Sequence, residues 1–426
     1  MSAEPPRELE LTVDSLAAGG DAVGRGDDGR VVFVPGAAPG ERVRVRLVEE
    51  HKQFARGGLL AVLAPSPDRV EPPCPLFRDR ACGGCVWQHV AYPVQSVAKQ
   101  ASVASALRRA IADGMELAPI ATPVEPYRWR RRARLHWVRT AGSDAALVGF
   151  FAPRSRRVTP VPACPQLEPA LEAALPALHA VLAPGLFQKG EVDILCDPAG
   201  QVQVAVRGPC RSRAAEALVG QGGVVGVILG RQVFGAAALE IEPGQWAQAD
   251  RFAQPSRAGN AALLAALDRA SRPREGAHIL ELYAGSGNLT RTLLDGAASL
   301  LAVDTRPGRQ IGHPRLRWQV GPVEEVVADL VGRGAGGSSS ERADIDLVVL
   351  DPPREGARAA LDSIAALGAP RLVYVSCDPA TLARDLDRLT ELGYRAILAE
   401  PIDLMPQTAH VEVVVSLELR LRARTG

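Results

Sequence analysis

A thiol, three carboxylates and a glycine turn stand at intervals along residues 281–412. Glu281-Leu282-Tyr283-Ala284-Gly285-Ser286-Gly287-Asn288 follows an apolar run and leads into a helical stretch. In such a strand–turn–helix the glycines let a ligand approach the backbone, and the free N–H groups of the helix start face it. The segment is neither GxGxxG nor a P-loop, which disfavours a pyrophosphate or triphosphate ligand. About twenty residues on, Asp304 ends the next apolar run, where an acid suits a ribose diol. Together they point to a nucleoside-type cofactor. Asp351 opens Asp-Pro-Pro-Arg-Glu-Gly after a fourth run. The prolines cannot extend a strand, so the acid is left at a strand's carboxyl end, where open α/β sheets bind their ligands. Cys377 ends a further run in Ser-Cys-Asp-Pro. A free Cys is most often a small buried hydrophobe. This one precedes a helix beginning near Pro379, and a helix N-terminus lowers a thiol pKa from about 8.5. A nucleophile is expected. Glu412 opens the last, otherwise apolar run after Gln407-Thr408-Ala409-His410-Val411. It reads as a general base of raised pKa or as a salt-bridge partner.

Two further constellations lie upstream. Cys74, Cys82 and Cys85 are spaced C-x7-C-x2-C, with Cys164 distant, and both Cys74 and Cys164 precede proline. Structural zinc sites more often use two C-x-x-C knuckles. Three clustered cysteines plus a remote Cys-Pro fit iron–sulfur ligation better, with zinc the alternative. Cys196 and Cys210 fit no pattern and read as structural. Residues 125–160 hold nine arginines against Glu125 and Asp144. Their YRWRRRARLHWVR core interleaves cations with Tyr127, Trp129, His136 and Trp137. That pattern suits phosphate neutralisation and base stacking, so RNA is expected there. The competing reading is strand alternation with buried aromatics and solvated arginines.

The elements that must position these groups are legible in outline. Residues 8–64 read as four or five short strands with Gly-rich turns, a small barrel. A Pro-rich hinge follows, then a helix over 95–112 and a mixed, strand-rich stretch over 127–240. From 277 onward seven short apolar runs alternate with helical stretches, as in a doubly wound, mostly parallel sheet. GRGAGGSSSERAD at 332–344 reads as a flexible surface insertion in it. The expected units are a barrel over 1–66, a central domain over 67–250 and an α/β domain over 251–426. Hydrophobic residues at 47% and charged residues at 23% exclude a mainly disordered chain. Seven cysteines in a chain of 426 residues argue against a disulfide framework. The formal charge of +1 announces no partner by itself. Arginine supplies 46 of the 49 cations and lysine 3, a ratio that fits GC-rich codon usage better than recognition. No run of about 18 apolar residues occurs, so no membrane span is expected. The opening MSAEPPRELE reads as neither secretory signal nor transit peptide, and a cytoplasmic monomer is expected.

These segments resemble the RNA 5-methyluridine methyltransferases, in particular the subgroup with an N-terminal TRAM barrel and a [4Fe–4S] cluster. ELYAGSGN, LDPPREG, SCDPATLARDL and QTAHVE match the family signatures in order, and residues 8–64 match TRAM. The resemblance implies a Rossmann-like methyltransferase domain, S-adenosylmethionine as cofactor and RNA as substrate, 23S ribosomal RNA first and transfer RNA second. It implies Cys377 as nucleophile and Glu412 as base. Cofactor contacts would fall on Gln248, Tyr283, Asn288, Asp304 and Asp351, and cluster ligation on Cys74, Cys82, Cys85 and Cys164. The family's F-x-Q-x-N segment reads Trp246-Ala247-Gln248-Ala249-Asp250 here, and Asp304 stands where the family usually has Glu. The chemistry accounts for the residue types. Uracil C5 is a weak nucleophile until a thiolate adds at C6, and a base must then remove the C5 proton. The uridine must also leave its stack to reach a crevice. Two other readings are a non-catalytic RNA-binding iron–sulfur protein, which would have lost a site residue, and a cytosine-5 methyltransferase, which expects Pro-Cys rather than Ser376-Cys377.

Overall fold

The structure, a computed structural model, describes residues 7–308, 312–336 and 345–420. Strict alternation builds the first unit. In Arg42–Glu50, Val43 and Val45 are fully buried, while Arg42, Arg44 and Arg46 point outward and pair with Glu8 and Glu10 of the neighbouring strand. Glu8–Leu16, Ala22–Arg25, Val31–Val34, Phe54–Ala64 and Arg42–Glu50 close in that order into a barrel. The second of these lies inside the Gly-rich stretch expected to be a turn. It is only four residues long, too short for alternation to show.

A seven-stranded sheet follows. Its order is Gln232–Gly235, Val224–Leu229, Val202–Arg207, Lys189–Cys196, Arg132–Val138, Leu147–Phe151 and Val158–Pro160. Leu171, Leu175 and Leu178 of the following helical segment recur at spacings of four and three, and all are fully buried against one face of the sheet. A hairpin, Leu239–Glu242 with Gln245–Ala247, leads toward the last unit.

All seven strands expected after 277 are present. They run Leu316–Val320, Ser299–Asp304, His278–Leu282, Leu347–Leu350, Arg371–Ser376, Glu412–Leu419 and Tyr394–Ile402, all parallel but for Glu412–Leu419, which is antiparallel to both its neighbours. Leu347–Leu350 is buried at every residue, as a strand covered on both faces must be. An eighth strand, Glu116–Leu117, joins the edge of this sheet from the central region. It is two residues long and carries no pattern of its own. Residues 332–336 of the expected insertion complete the helix Val323–Gly336, and 337–344 lie outside the described residues. Among the described residues no helix is long and apolar enough to cross a membrane.

Candidate active site

Register brings the strand ends level. Leu282 pairs with Val303 on one side and with Leu350 on the other, and Leu350 pairs with Tyr374. Residues just past those positions, Tyr283, Asp304, Asp351 and Cys377, therefore share one edge of the sheet. On the antiparallel side Ser376 pairs with Val413. One step along that ladder Cys377 falls opposite Glu412, and directly opposed residues point to the same face.

Cys377 is half-buried. The helix Pro379–Glu391 does begin behind it, with Pro379 in the first turn. Its N-cap is Asp378, whose carboxylate accepts from Thr381 N at 2.8 Å. The helix start is thus already met by an anion. Burial first, then the Glu412 carboxylate, with Asp351 adding to it, push the Cys377 thiol up to about 11, against an opposing pull from Arg354. The lowered thiol pKa expected from sequence is corrected by this balance: two acids and desolvation outweigh one cation.

Glu412 is 5% exposed. Burial and then the neighbouring Asp351 raise its pKa well above the usual carboxylate range, again opposed by Arg354. Burial raises Asp351 as well. Two close acids in a dry crevice cannot both ionise cheaply, so the pair holds a proton more readily than either acid alone. Arg354 also stands 3.4 Å from His410 Nε2. Desolvation, then the cations Arg354, Lys99 and Arg130, hold His410 down to about 4, so its ring is neutral near pH 7 and can accept that bond. Neither Arg354 nor His410 was singled out from sequence. Both sat inside motifs already quoted, and the only available signal was a charged or titratable type within two or three residues of a chosen one.

The glycine turn is strained in the way a close ligand approach needs. Tyr283, Gly285 and Gly287 have φ of +61°, +56° and +82°. A Cβ placed on Gly285 would meet nothing within 4 Å, so the turn faces open space. Asp304 braces it: one carboxylate oxygen accepts from Gly285 N at 2.9 Å and the other from Arg306 N at 2.6 Å. Asn288 is locked in a reciprocal amide pair with Asn260, at 3.0 and 2.8 Å. Burial pushes the Tyr283 hydroxyl up to about 12, so it stays neutral. Glu281, quoted in the turn motif but not singled out from sequence, is 1% exposed, with the Thr290 hydroxyl of the following helix beside it. Desolvation pushes it up to about 8 against a downward pull from the Thr290 hydroxyl, with the acids Asp351 and Asp304 adding to the rise. A buried acid beside an open glycine turn has acceptor capacity left for a polar ligand group. Gln248 directly follows the hairpin, and its amide donates to Ala237 O at 3.0 Å. The hairpin itself docks on the helix after the glycine turn, where Arg291 donates to Pro243 O at 3.0 Å and to Gly244 O.

Cys74, Cys82, Cys85 and Cys164 line a single cavity with Phe77, Phe150 and Arg130. Among the described residues no group of three or more His, Cys, Asp or Glu side chains is placed to hold a metal ion. Cys196 is buried and its thiol donates to Glu168 at 3.3 Å, in keeping with a structural residue.

The aromatic–arginine segment is different from its expected role. Trp129 and Trp137 are 5% and 1% exposed, so neither can stack a base. Arg131 is fully buried and donates to Gln254 O, Ile241 O and Glu242. Arg132 and Arg134 pair with Asp193, and Arg139 is spent on backbone carbonyls. Strand alternation, with the aromatics inward, accounts for the pattern. Arg130 is the residue of this run that stacks on Trp129 and faces the cysteine cavity.

A doubly wound sheet with a glycine turn, clustered acids and a thiol at its carboxyl edge, preceded by a closed barrel, defines a two-lobed α/β transferase with an accessory barrel. Comparison with known proteins narrows this. Residues 4–60 match the TRAM domain and residues 338–420 match the family described as tRNA (uracil-5-)-methyltransferase. The 23S rRNA (uracil(1939)-C(5))-methyltransferase RlmD of Pectobacterium atrosepticum is 33% identical over 96% of this chain and 93% of its own length. An RNA methyltransferase of Thermosynechococcus vestitus is 32% identical over 96% of this chain and 97% of its own. The crystal structure of Pyrococcus abyssi tRNA (uracil-54, C5)-methyltransferase, in complex with S-adenosyl-L-homocysteine, shares the fold with a TM-score of 0.67, at 18% identity over 96% of this chain and 99% of that one. The chain belongs to the RNA uracil-C5 methyltransferase family.

Proposed function

We propose that this enzyme methylates C5 of a uridine in 23S ribosomal RNA, using S-adenosylmethionine, through a covalent bond between Cys377 and uracil C6. The observation that carries the reading is the Glu412 carboxyl close enough to the Cys377 thiol to raise its pKa, just past the Ser376–Val413 pair, on the sheet edge that holds the braced glycine turn. S-adenosylmethionine, when bound, supplies an electrophilic methyl group. The Gly285 turn would receive it, with Tyr283, Asn288, Asp304 and Asp351 around it and Gln248 reaching from the hairpin. The buried Glu281 beside the turn suits its ammonium. Cys377 as thiolate adds to C6, which makes C5 nucleophilic. Arg354, the cation facing the thiol, stabilises the thiolate and the charge that moves onto the ring. After methylation Glu412 takes the C5 proton, the electron pair re-forms the C5–C6 double bond, and the Cys377 sulfur leaves.

The three units divide the work in this reading: 1–66 and 67–250 hold RNA, and 251–426 does the chemistry. Cys74, Cys82, Cys85 and Cys164 would hold a [4Fe–4S] cluster. Four thiols on one cavity form a suitable donor set, and a cubane spaces its ligands more widely than a tetrahedral zinc with Zn–S of about 2.3 Å. Transfer RNA is the alternative substrate, favoured by the description of the family matched at 338–420. The decisive experiment compares 5-methyluridine in 23S and transfer RNA from strains with and without the gene. Loss of one residue from 23S RNA alone is expected. Loss from transfer RNA alone would move the substrate, and loss from neither would overturn the reading.

A further inference from the structure

Residues 403–411 carry the chain from the strand Tyr394–Ile402 across to Glu412, and side chains of another region grip them. On the helix Tyr92–Ala106, Tyr92, Gln95 and Lys99 recur at spacings of three and four and so share a face. Tyr92 donates to Asp403 Oδ2 at 3.1 Å. Lys99 donates to Asp403 Oδ1 at 2.6 Å and to Met405 O at 3.0 Å. Gln95 Nε2 donates to Gln407 Oε1 at 2.9 Å, and Gln407 N donates back to Gln95 Oε1 at 3.0 Å. From the cysteine loop, the N–H groups of Val86 and Trp87 donate to Gln407 O at 2.9 and 3.2 Å. Gln95, Lys99 and Asp403 are all fully buried. Gln407 sits at φ +66°.

The choice of residue types is informative. The chain carries only 3 lysines beside 46 arginines, and one of those lysines fills this seat. A compact ammonium reaches a carboxylate and a carbonyl where a planar guanidinium would not fit. The grip ends just short of the chemistry. Thr408 Oγ1 donates to Met405 O at 2.7 Å and accepts from His410 N at 3.3 Å, so the turn is fixed up to His410, two residues before Glu412. Proton removal from carbon tolerates little displacement of the base, and a shift of about 1 Å can cost about a hundredfold in rate.

We propose that Gln95 and Gln407, backed by Lys99 and Asp403, are positioning residues that set Glu412 for removal of the C5 proton. The inference rests on the covalent reading above. It singles out one step: loosening the grip slows elimination more than addition or methyl transfer. Gln95→Met keeps the side-chain volume and removes both bonds to Gln407. It should lower kcat by about tenfold or more while leaving kcat/KM for RNA within about twofold, so that KM falls with kcat, and raise the fraction of enzyme held as a covalent RNA adduct on a denaturing gel. Gln407→Gly, which the left-handed backbone accepts without strain, removes one bond and should give the same result in smaller measure, and it decides the matter if Gln95→Met does not fold. Glu412→Gln is run beside them. If it traps adduct and neither other variant exceeds wild type, Gln95 and Gln407 do not position the base. A raised KM or a lowered melting temperature with no extra adduct would equally overturn the proposal, leaving a purely structural grip. If Glu412→Gln traps no adduct, the covalent reading itself falls.

Discussion

In the proposed reaction Cys377 and Glu412 have separable tasks, because one would make a bond to RNA and the other would let it break. Cys377→Ala should form no adduct and no 5-methyluridine. Glu412→Gln should add and methylate but stall before elimination, accumulating methylated covalent complex, and normal turnover by this variant would require another base. The same pair fixes the pH dependence. The reactive form of Cys377 is the thiolate, and its folded pKa is pushed up to about 11 in the free enzyme. Glu412 must be ionised to accept a proton, and its pKa is raised too. Cys377 acts before methyl transfer and is protonated at low pH, so kcat/KM should climb with pH from 6 to 9, by up to about tenfold per unit, whereas ionisation of Glu412, needed only afterwards, bears on kcat. A flat kcat/KM over that range would mean that ionisation of Cys377 does not limit it. These two residues were legible in sequence because each breaks a local rule, a thiol or an acid at the end of an apolar strand. Their coupling was not, because it depends on the ladder placing Ser376 against Val413, and register across a sheet is not written in either strand.

At the scale of elements, the glycine turn was legible because its strand, turn and helix are contiguous. The arginine segment was misread for the opposite reason. A strand that alternates cation and aromatic looks the same from sequence whether the aromatics face solvent or a core. Burial of Trp137 at 1% and of Arg131 at 0% decides it. Arg131 ties the strand to the hairpin through Glu242 and to the following segment through Gln254 O. Removing it leaves several acceptors without their donor in a dry site. Arg131→Ala should therefore destabilise the protein by about 3–5 kcal/mol, seen as a large fall in melting temperature, with little change in the salt dependence of RNA binding by whatever folds. A variant of unchanged stability but weaker, less salt-dependent RNA binding would restore the discarded role.

Across the whole molecule, the barrel and the parallel sheet were legible from composition and period, but the attachments between segments were not. Glu116–Leu117 completes the last sheet from the central region, and Trp87 Nε1 donates to Gly20 O of the barrel at 2.9 Å while its backbone N–H meets Gln407. These contacts are single residues between distant segments, below the resolution of any periodic pattern. The cysteine cavity lies at that same junction, since Cys85 directly precedes Val86 and Trp87. It also draws Cys164 back to the loop of Cys74, Cys82 and Cys85, closing a long segment of chain whose freedom is otherwise a cost of folding. A group bound to the folded state alone stabilises it in proportion to its affinity. Anaerobically purified enzyme should therefore carry about four irons per chain, and their removal by a chelator should lower the melting temperature by several degrees. Limited proteolysis should then cut first within residues 74–90 and 403–411, because these two loops hold each other through Gln407. Cys164→Ser should reproduce both effects, with S-adenosylmethionine binding retained. Iron-free enzyme of unchanged stability, or stoichiometric zinc in its place, would show that the cavity holds no cluster and that the junction stands on its hydrogen bonds alone.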